Sequence, residues 1–216
     1  MRFIDGAPLL DALNNGVPQP LGLDAYLQAN AQTVASQFVY GSMTPFERMN
    51  AGTLALTARD TLGFSVGPLK SAPLGAGKQY TLIVVGSYPN YQVLTFEEPG
   101  AGKGAQLSLY EASPSTAQAG FGSFAASSSS QFKQLGSAKF GTLSTVTLGT
   151  SVSNLGGFVG TPGHLIGVET PQGINPFDKR NALPFHAIER LSLFLFDADT
   201  QGGSGPPGPV FGSLDK

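Results

Sequence analysis

Lys78-Gln79-Tyr80-Thr81-Leu82-Ile83-Val84-Val85-Gly86 decides the fold. The run is β-branched and almost continuously apolar, and glycines bound it at Gly77 and Gly86. It is too short for a core helix, so it reads as a central strand buried on both faces. Upstream, Thr53-Leu54-Ala55-Leu56-Thr57-Ala58-Arg59 alternates apolar and polar residues, the period of a half-buried strand. Arg2 to Asp5, Leu23 to Gln28, Thr33 to Tyr40 and, downstream, Tyr91 to Glu97 complete the set. The gaps hold turn chemistry: Ala51-Gly52, Gly75-Ala76-Gly77 and Pro89-Asn90. Gly52 and Gly77 fall where hairpins need positive φ. No stretch carries the 3.6-residue period over three turns.

Pro99-Gly100-Ala101-Gly102-Lys103-Gly104 marks a boundary, and strand-like sequence resumes at Ala105. Beyond it the pattern of the first half returns. Arg2-Phe3-Ile4-Asp5-Gly6-Ala7-Pro8 aligns with Ser108-Leu109-Tyr110-Glu111-Ala112-Ser113-Pro114. Tyr40-Gly41-Ser42-Met43-Thr44 aligns with Phe140-Gly141-Thr142-Leu143-Ser144, and Lys78 to Val85 with Glu189 to Phe196. The anchors keep their order at offsets of about 106, 100 and 111 residues. We read a tandem duplication of one antiparallel β-sandwich; the alternative is one irregular sandwich with accidental similarity. The duplication places the first domain at 1–98 and a divergent second copy at 105–200, with a Gly/Pro/Asn-rich insertion near 161–183. An extended Gly/Pro-rich arm at 201–216 follows, which cannot join a sheet interior.

Composition excludes several function classes. Only 12% of residues are charged and the net charge is −2, so the clustered Lys and Arg needed to hold nucleic-acid phosphates are missing. With no cysteine there is no disulfide, no thiolate nucleophile and no Cys-ligated zinc. Tyr80 to Val85 is the longest apolar run, far below the ~20 residues of a membrane-spanning helix. Met1 to Asp5 lacks the apolar core of a secretory signal and reads as a strand.

The sequence holds few residues in patterns that carry chemistry. Gly102-Lys103 and Gly77-Lys78 lack the Ser or Thr and the helix of a phosphate loop, and Gly120-x-Gly122-x-x-Ala125 lacks a βαβ setting. The two histidines, His164 and His186, have no carboxylate on the same strand face and read as loop residues. No Gly-x-Ser-x-Gly elbow is present, which makes a serine hydrolase the weakest reading. Glu97 and Glu98 point to opposite faces at a solvated edge. Asp197 and Asp199 share a face but supply only two of the six or more oxygens Ca²⁺ requires. We therefore expect no catalytic residue, no cofactor and no metal. Two candidate contact features remain. Tyr88 and Tyr91 flank a turn and form a candidate sugar-stacking platform. Pro206, Pro207, Pro209, Val210 and Phe211 form a candidate hydrophobic plug that docks on its own body or on a neighbour.

On several of these residues the chain resembles the bacterial DUF4397 family. The shared features are Met1-Arg2-Phe3-Ile4-Asp5-Gly6-Ala7-Pro8, Leu23-Asp24-Ala25-Tyr26-Leu27, Tyr40-Gly41-Ser42-Met43-Thr44-Pro45-Phe46, Ala51-Gly52-Thr53 and Ala76-Gly77-Lys78-Gln79-Tyr80-Thr81. The likeness covers residues 1–97 and weakens in the second copy, where Phe140-Gly141 lacks the following Pro-Phe. The resemblance implies an Ig-like or transthyretin-like sandwich, extracytoplasmic in a bacterium (periplasmic or at the cell surface), with no catalytic residues. Together these readings lead us to expect a non-enzymatic structural or accessory subunit of a cell-envelope assembly. Its partners would be proteins of a membrane-associated complex or further copies of itself, held by strand addition or arm docking. The rival reading is a carbohydrate-binding module.

Overall fold

The computed structural model of the chain describes residues 1–8, 10, 21–22, 24–100, 104–125, 128–148, 164–177, 190–197 and 210–215. Among the described residues there is no helix. The chain divides into two compact units, built on Met1–Glu98 and Pro99–Ala198, and the C-terminal strand belongs to the second.

The first unit holds β1 (Arg2–Asp5), β2 (Tyr26–Ala29), β3 (Gln32–Ala35), β4 (Ala55–Arg59), β5 (Ser65–Lys70), β6 (Tyr80–Ser87) and β7 (Asn90–Glu97). Two sheets form, in the orders β1-β6-β7 and β3-β2-β4-β5. Phe3, Leu82 and Val84 from the first sheet meet Leu27, Leu56 and Ala58 from the second in one buried cluster. Each large apolar side chain buried this way stabilises the sandwich by roughly 1.5–3 kcal/mol. β6 is central, and its residues from Tyr80 to Val85 are buried on both faces, as its continuous apolar run requires.

The second unit holds β8 (Gln106–Glu111), β9 (Gln118–Ala125), β10 (Ser128–Lys139), β11 (Leu143–Thr147), β12 (His164–Thr170), β13 (Gly173–Pro176), β14 (Arg190–Leu195) and β15 (Val210–Asp215). Its sheets run β11-β8-β14-β15 and β10-β9-β12-β13. Leu107, Leu109, Leu191 and Leu193 face Phe121, Ile166 and Val168 across the core. The opposite face of β8 and β14 carries a buried aromatic row, with Tyr110 stacked on Phe194 at 4.5 Å and Phe194 on Phe196 at 6.3 Å.

The two units share their strand order, with β11 added in the second. Order β3-β2-β4-β5 recurs as β10-β9-β12-β13, and β1-β6-β7 recurs as β8-β14-β15. Both β1–β6 and β8–β14 are parallel, which makes two pairings that depart from the antiparallel expectation. Their registers coincide under the offsets read in the sequence: Phe3 faces Leu82 as Leu109 faces Leu193, and Asp5 faces Val84 as Glu111 faces Leu195. The isolated bridge between Ile4 and Met43 corresponds to the pairing of Tyr110 with Leu143 at the start of β11.

Several elements differ in extent from the sequence reading. Thr33 to Tyr40 is strand only as far as Ala35, where Phe38 N–H then donates to Ala25 O at 2.7 Å. β5 contains Gly67 and Pro68, which read as turn residues; at a sheet edge a proline forfeits no ladder bond. Gly52 and Gly77 have φ of 118° and 73°, as their turns require. The stretch near 161–183 expected as an insertion carries β12 and β13, which take the places of β4 and β5. Gly120 and Gly122 lie in β9, where a Cβ at Gly122 would sit 2.0 Å from Lys133 O; the glycine-rich string serves close strand packing.

Candidate functional site

The polar residues that the fold gathers lie chiefly at strand ends. In the second unit Glu111 ends β8 and is fully buried. Its Oε1 accepts Ser113 N–H at 3.0 Å, and its buried Oε2 has no hydrogen-bond partner. Burial pushes the Glu111 carboxyl up to about 8; the Ser113 N–H opposes this shift and the nearby Asp197 charge adds to it. Asp197 accepts from Ser113 Oγ, from Ser115 N–H at 3.1 Å and from Ser115 Oγ at 2.6 Å. This serine–carboxylate cluster ties the turn after β8 to the end of β14. Among the described residues no group of three or more His, Asp or Glu side chains is placed to hold a metal. Asp199 and His186 lie outside the described residues, as does the side chain of His164.

The first unit has a cleft of about 370 Å³ at the β2–β3 turn, lined by Asn30, Gln32, Arg48, Met49, Asn50 and Leu54 among others. Among the described lining residues, the amides and Arg48 offer hydrogen bonds to a small polar ligand, and none is a nucleophile.

The opposite end of that unit is built differently. The β4–β5 loop presents Leu62, 79% exposed, and Phe64, 62% exposed. Two acids brace this loop. Buried Asp60 accepts Phe64 N–H through Oδ1 at 2.9 Å and Gly22 N–H through Oδ2 at 3.1 Å. Asp24 Oδ2 accepts Thr61 N–H at 3.1 Å and also the Thr61 hydroxyl. Backbone bonds from Gly6 to Val84, Leu10 to Ala7 and Leu21 to Leu10 lead from the end of β6 to Gly22 and Asp60. The β6–β7 turn therefore lies at the same end, and it carries Tyr88, which is 73% exposed.

Tyr88 and Tyr91 differ in setting. Tyr91 is half-buried and packs against the core, and burial, with the charge of Asp5 second, pushes its phenol up to about 12. Only Tyr88 of the two offers a well-exposed ring. Val210 is half-buried against the core of its own unit. Pro206, Pro207 and Pro209 lie outside the described residues, as does the side chain of Phe211. Leu62 and Phe64 escaped the sequence reading because apolar residues beside Gly63 look like the start of the next strand. The signal that marks them is two large apolar residues around a turn glycine, after an Asp that caps the loop.

No protein-family model and no curated protein matches this chain.

Proposed function

We infer that the protein is a non-enzymatic structural or accessory subunit that works through protein–protein contact in a bacterial cell-envelope assembly. The observation that carries this reading is the loop end of the first unit. Leu62 and Phe64 are held out to solvent by a hydrogen-bonded frame, with Tyr88 at the same end. Large apolar side chains on a braced loop lose little conformational entropy on docking, which favours contact with a partner. Few charged residues and the DUF4397 resemblance support an envelope setting.

The test is a pull-down from native bacterial membranes with mass spectrometry, comparing the parent chain with Leu62→Ser/Phe64→Ser. Loss of specific partners supports the reading, and undiminished capture overturns it. Surface variants suit this better than removing residues 202–216, which would take β15 out of its sheet. The carbohydrate reading rests on exposed Tyr88 and the amide-lined cleft. A glycan-array signal abolished by Tyr88→Ala would move the assignment there.

A further inference from the structure

We propose that β15 is an exchangeable strand, and that its alternative acceptor is β14 of a second copy of this chain. The inference goes beyond the loop-end contact and does not depend on it, since it concerns the second unit alone. In the first unit the neighbour of β6 is β7, delivered by a tight turn across which Ser87 faces Asn90. That turn obliges β7 to pair with the β6 beside it. In the second unit the same place beside β14 is filled by β15, antiparallel and in continuous register from Arg190–Asp215 to Leu195–Val210. Here no tight turn joins the two strands: residues 196–209 lie between them. Their sequence ends Gln201-Gly202-Gly203-Ser204-Gly205-Pro206-Pro207-Gly208-Pro209, which carries no helix or strand pattern. Fourteen residues can reach roughly 45 Å when extended, so the connection does not fix which β14 its strand completes.

The fold requires some strand in this position. Without it one edge of β14, a central strand of buried residues, would expose its ladder groups. Val210 would leave the core, and Phe177, whose ring would lie 2.2 Å from a Cβ at residue 212, would lose its backing at Gly212. A second copy supplies the same six residues in the same register, so exchange forfeits no contact and changes only chain connectivity. Self-pairing wins in dilute solution because the tether holds β15 at an effective concentration on the order of millimolar. Exchange becomes competitive as the chain concentration approaches that value.

The chain has no cysteine, so the question can be put with engineered thiols. Ser192 and Ser213 face each other across β14 and β15. Full-length Ser192→Cys and Ser213→Cys chains are mixed, unfolded, refolded together at rising concentration and oxidised. A disulfide joining position 192 of one chain to position 213 of the other, identified by peptide mapping, forms only if β15 has crossed between copies. The expected result is a cross-linked fraction that grows roughly in proportion to concentration. Unmodified protein refolded alongside should give a dimer by size exclusion that survives dilution, and the Leu62→Ser/Phe64→Ser variant should give the same dimer. Monomer at every concentration, or dimer without the 192–213 link, overturns the proposal. The unmodified arm keeps the test decisive if either cysteine variant folds poorly.

Discussion

Asp5 and Glu111 hold one and the same position in the two units. Each ends the strand that pairs in parallel with the central one, and each accepts the N–H of the residue two further on: Ala7 at 2.9 Å and Ser113 at 3.0 Å. Each backbone carbonyl accepts from the glycine of the next anchor, Gly41 and Gly141, both at 2.8 Å. Those glycines have φ of 79° and 75°, the left-handed conformation that lets the turn close on the acid. The residue is thus a recurring bolt of the fold: its side chain fixes the turn after the first strand of each sandwich, and its carbonyl ties that strand to the loop after β3 or β10.

Burial without full pairing makes the second bolt sensitive to pH. The folded chain holds the Glu111 proton up to about pH 8, whereas the ordinary carboxyl value is 4.5. Between these values the folded state binds more protons than the unfolded state, so stability falls as pH rises through the window. Below about 4.5 both states are protonated and nothing is lost. The full excursion is on the order of 5 kcal/mol. Glu111→Gln keeps the shape without the charge and should flatten the second unit's decline between about pH 5 and about pH 8. Calorimetry over that range checks it; a variant with the parent slope would show that Glu111 is not the titrating group.

The first unit buries an ion pair where the second uses hydroxyls. Arg2 Nη2 lies 3.4 Å from Glu98 Oε1, both side chains almost fully buried, while Arg2 Nε donates to Thr81 Oγ1 at 2.7 Å. The guanidinium carbon also sits 4.7 Å above the Phe46 ring. In the second unit Ser108 and Ser192 stand at the places of Arg2 and Thr81. Breaking a buried pair from one side strands a charge, so Arg2→Met alone should cost about 3–5 kcal/mol. Adding Glu98→Gln should restore more than half of that loss. A denaturant double-mutant cycle measures the coupling, and simple additivity would contradict the account.

The duplicated frame was legible because buried strands leave a direct trace. Tyr80 to Val85 and Leu191 to Leu195 are mostly apolar for packing reasons that survive in any sequence reading. β5 and the β12–β13 hairpin were not legible, since Gly67, Pro68, Gly167 and Gly173 look like loop residues when edge position and close strand approach are unknown. At Gly167, for instance, a Cβ would sit 2.7 Å from the Phe124 ring, a neighbour supplied by another strand. The loop end was hidden for a related reason. Exposure of Leu62 and Phe64 depends on Asp60 and Asp24 drawing in backbone donors from distant positions, and hydropathy does not encode that.

The β2–β3 turn is predicted to be improvable. Asn30 and Ala31 both adopt positive φ, 48° and 66°. Asn tolerates this conformation, and its Oδ1 accepts Ala55 N–H at 2.9 Å. Ala31 has no such compensation, and a two-residue turn of this kind prefers Asn-Gly. Ala31→Gly should therefore raise the stability of the first unit by about 1 kcal/mol, net of the greater freedom of glycine in the unfolded chain. Chemical denaturation decides it: an unchanged or lower midpoint would mean that the Ala31 methyl contributes packing that outweighs the strain.

Asp60 links stability to contact at the loop end. Both carboxylate oxygens are occupied by backbone donors, from Phe64 at 2.9 Å and Gly22 at 3.1 Å, in a residue only 3% exposed. Asp60→Ala leaves both N–H groups without these acceptors, which costs about 1–3 kcal/mol for a buried donor. Asp60→Asn keeps one acceptor oxygen and should cost less. Leu62 and Phe64, by contrast, are mostly in solvent, so Leu62→Ser/Phe64→Ser should change stability by no more than about 0.5 kcal/mol. Partner capture should order the variants differently. The exposed pair should abolish it at full stability, while Asp60→Ala should weaken it in the folded protein, because an unbraced loop must be ordered again on docking. Hydrogen exchange at Phe64 N–H reports the bracing independently. Capture that follows global stability alone, with no separate dependence on the loop, would remove the link between this frame and binding.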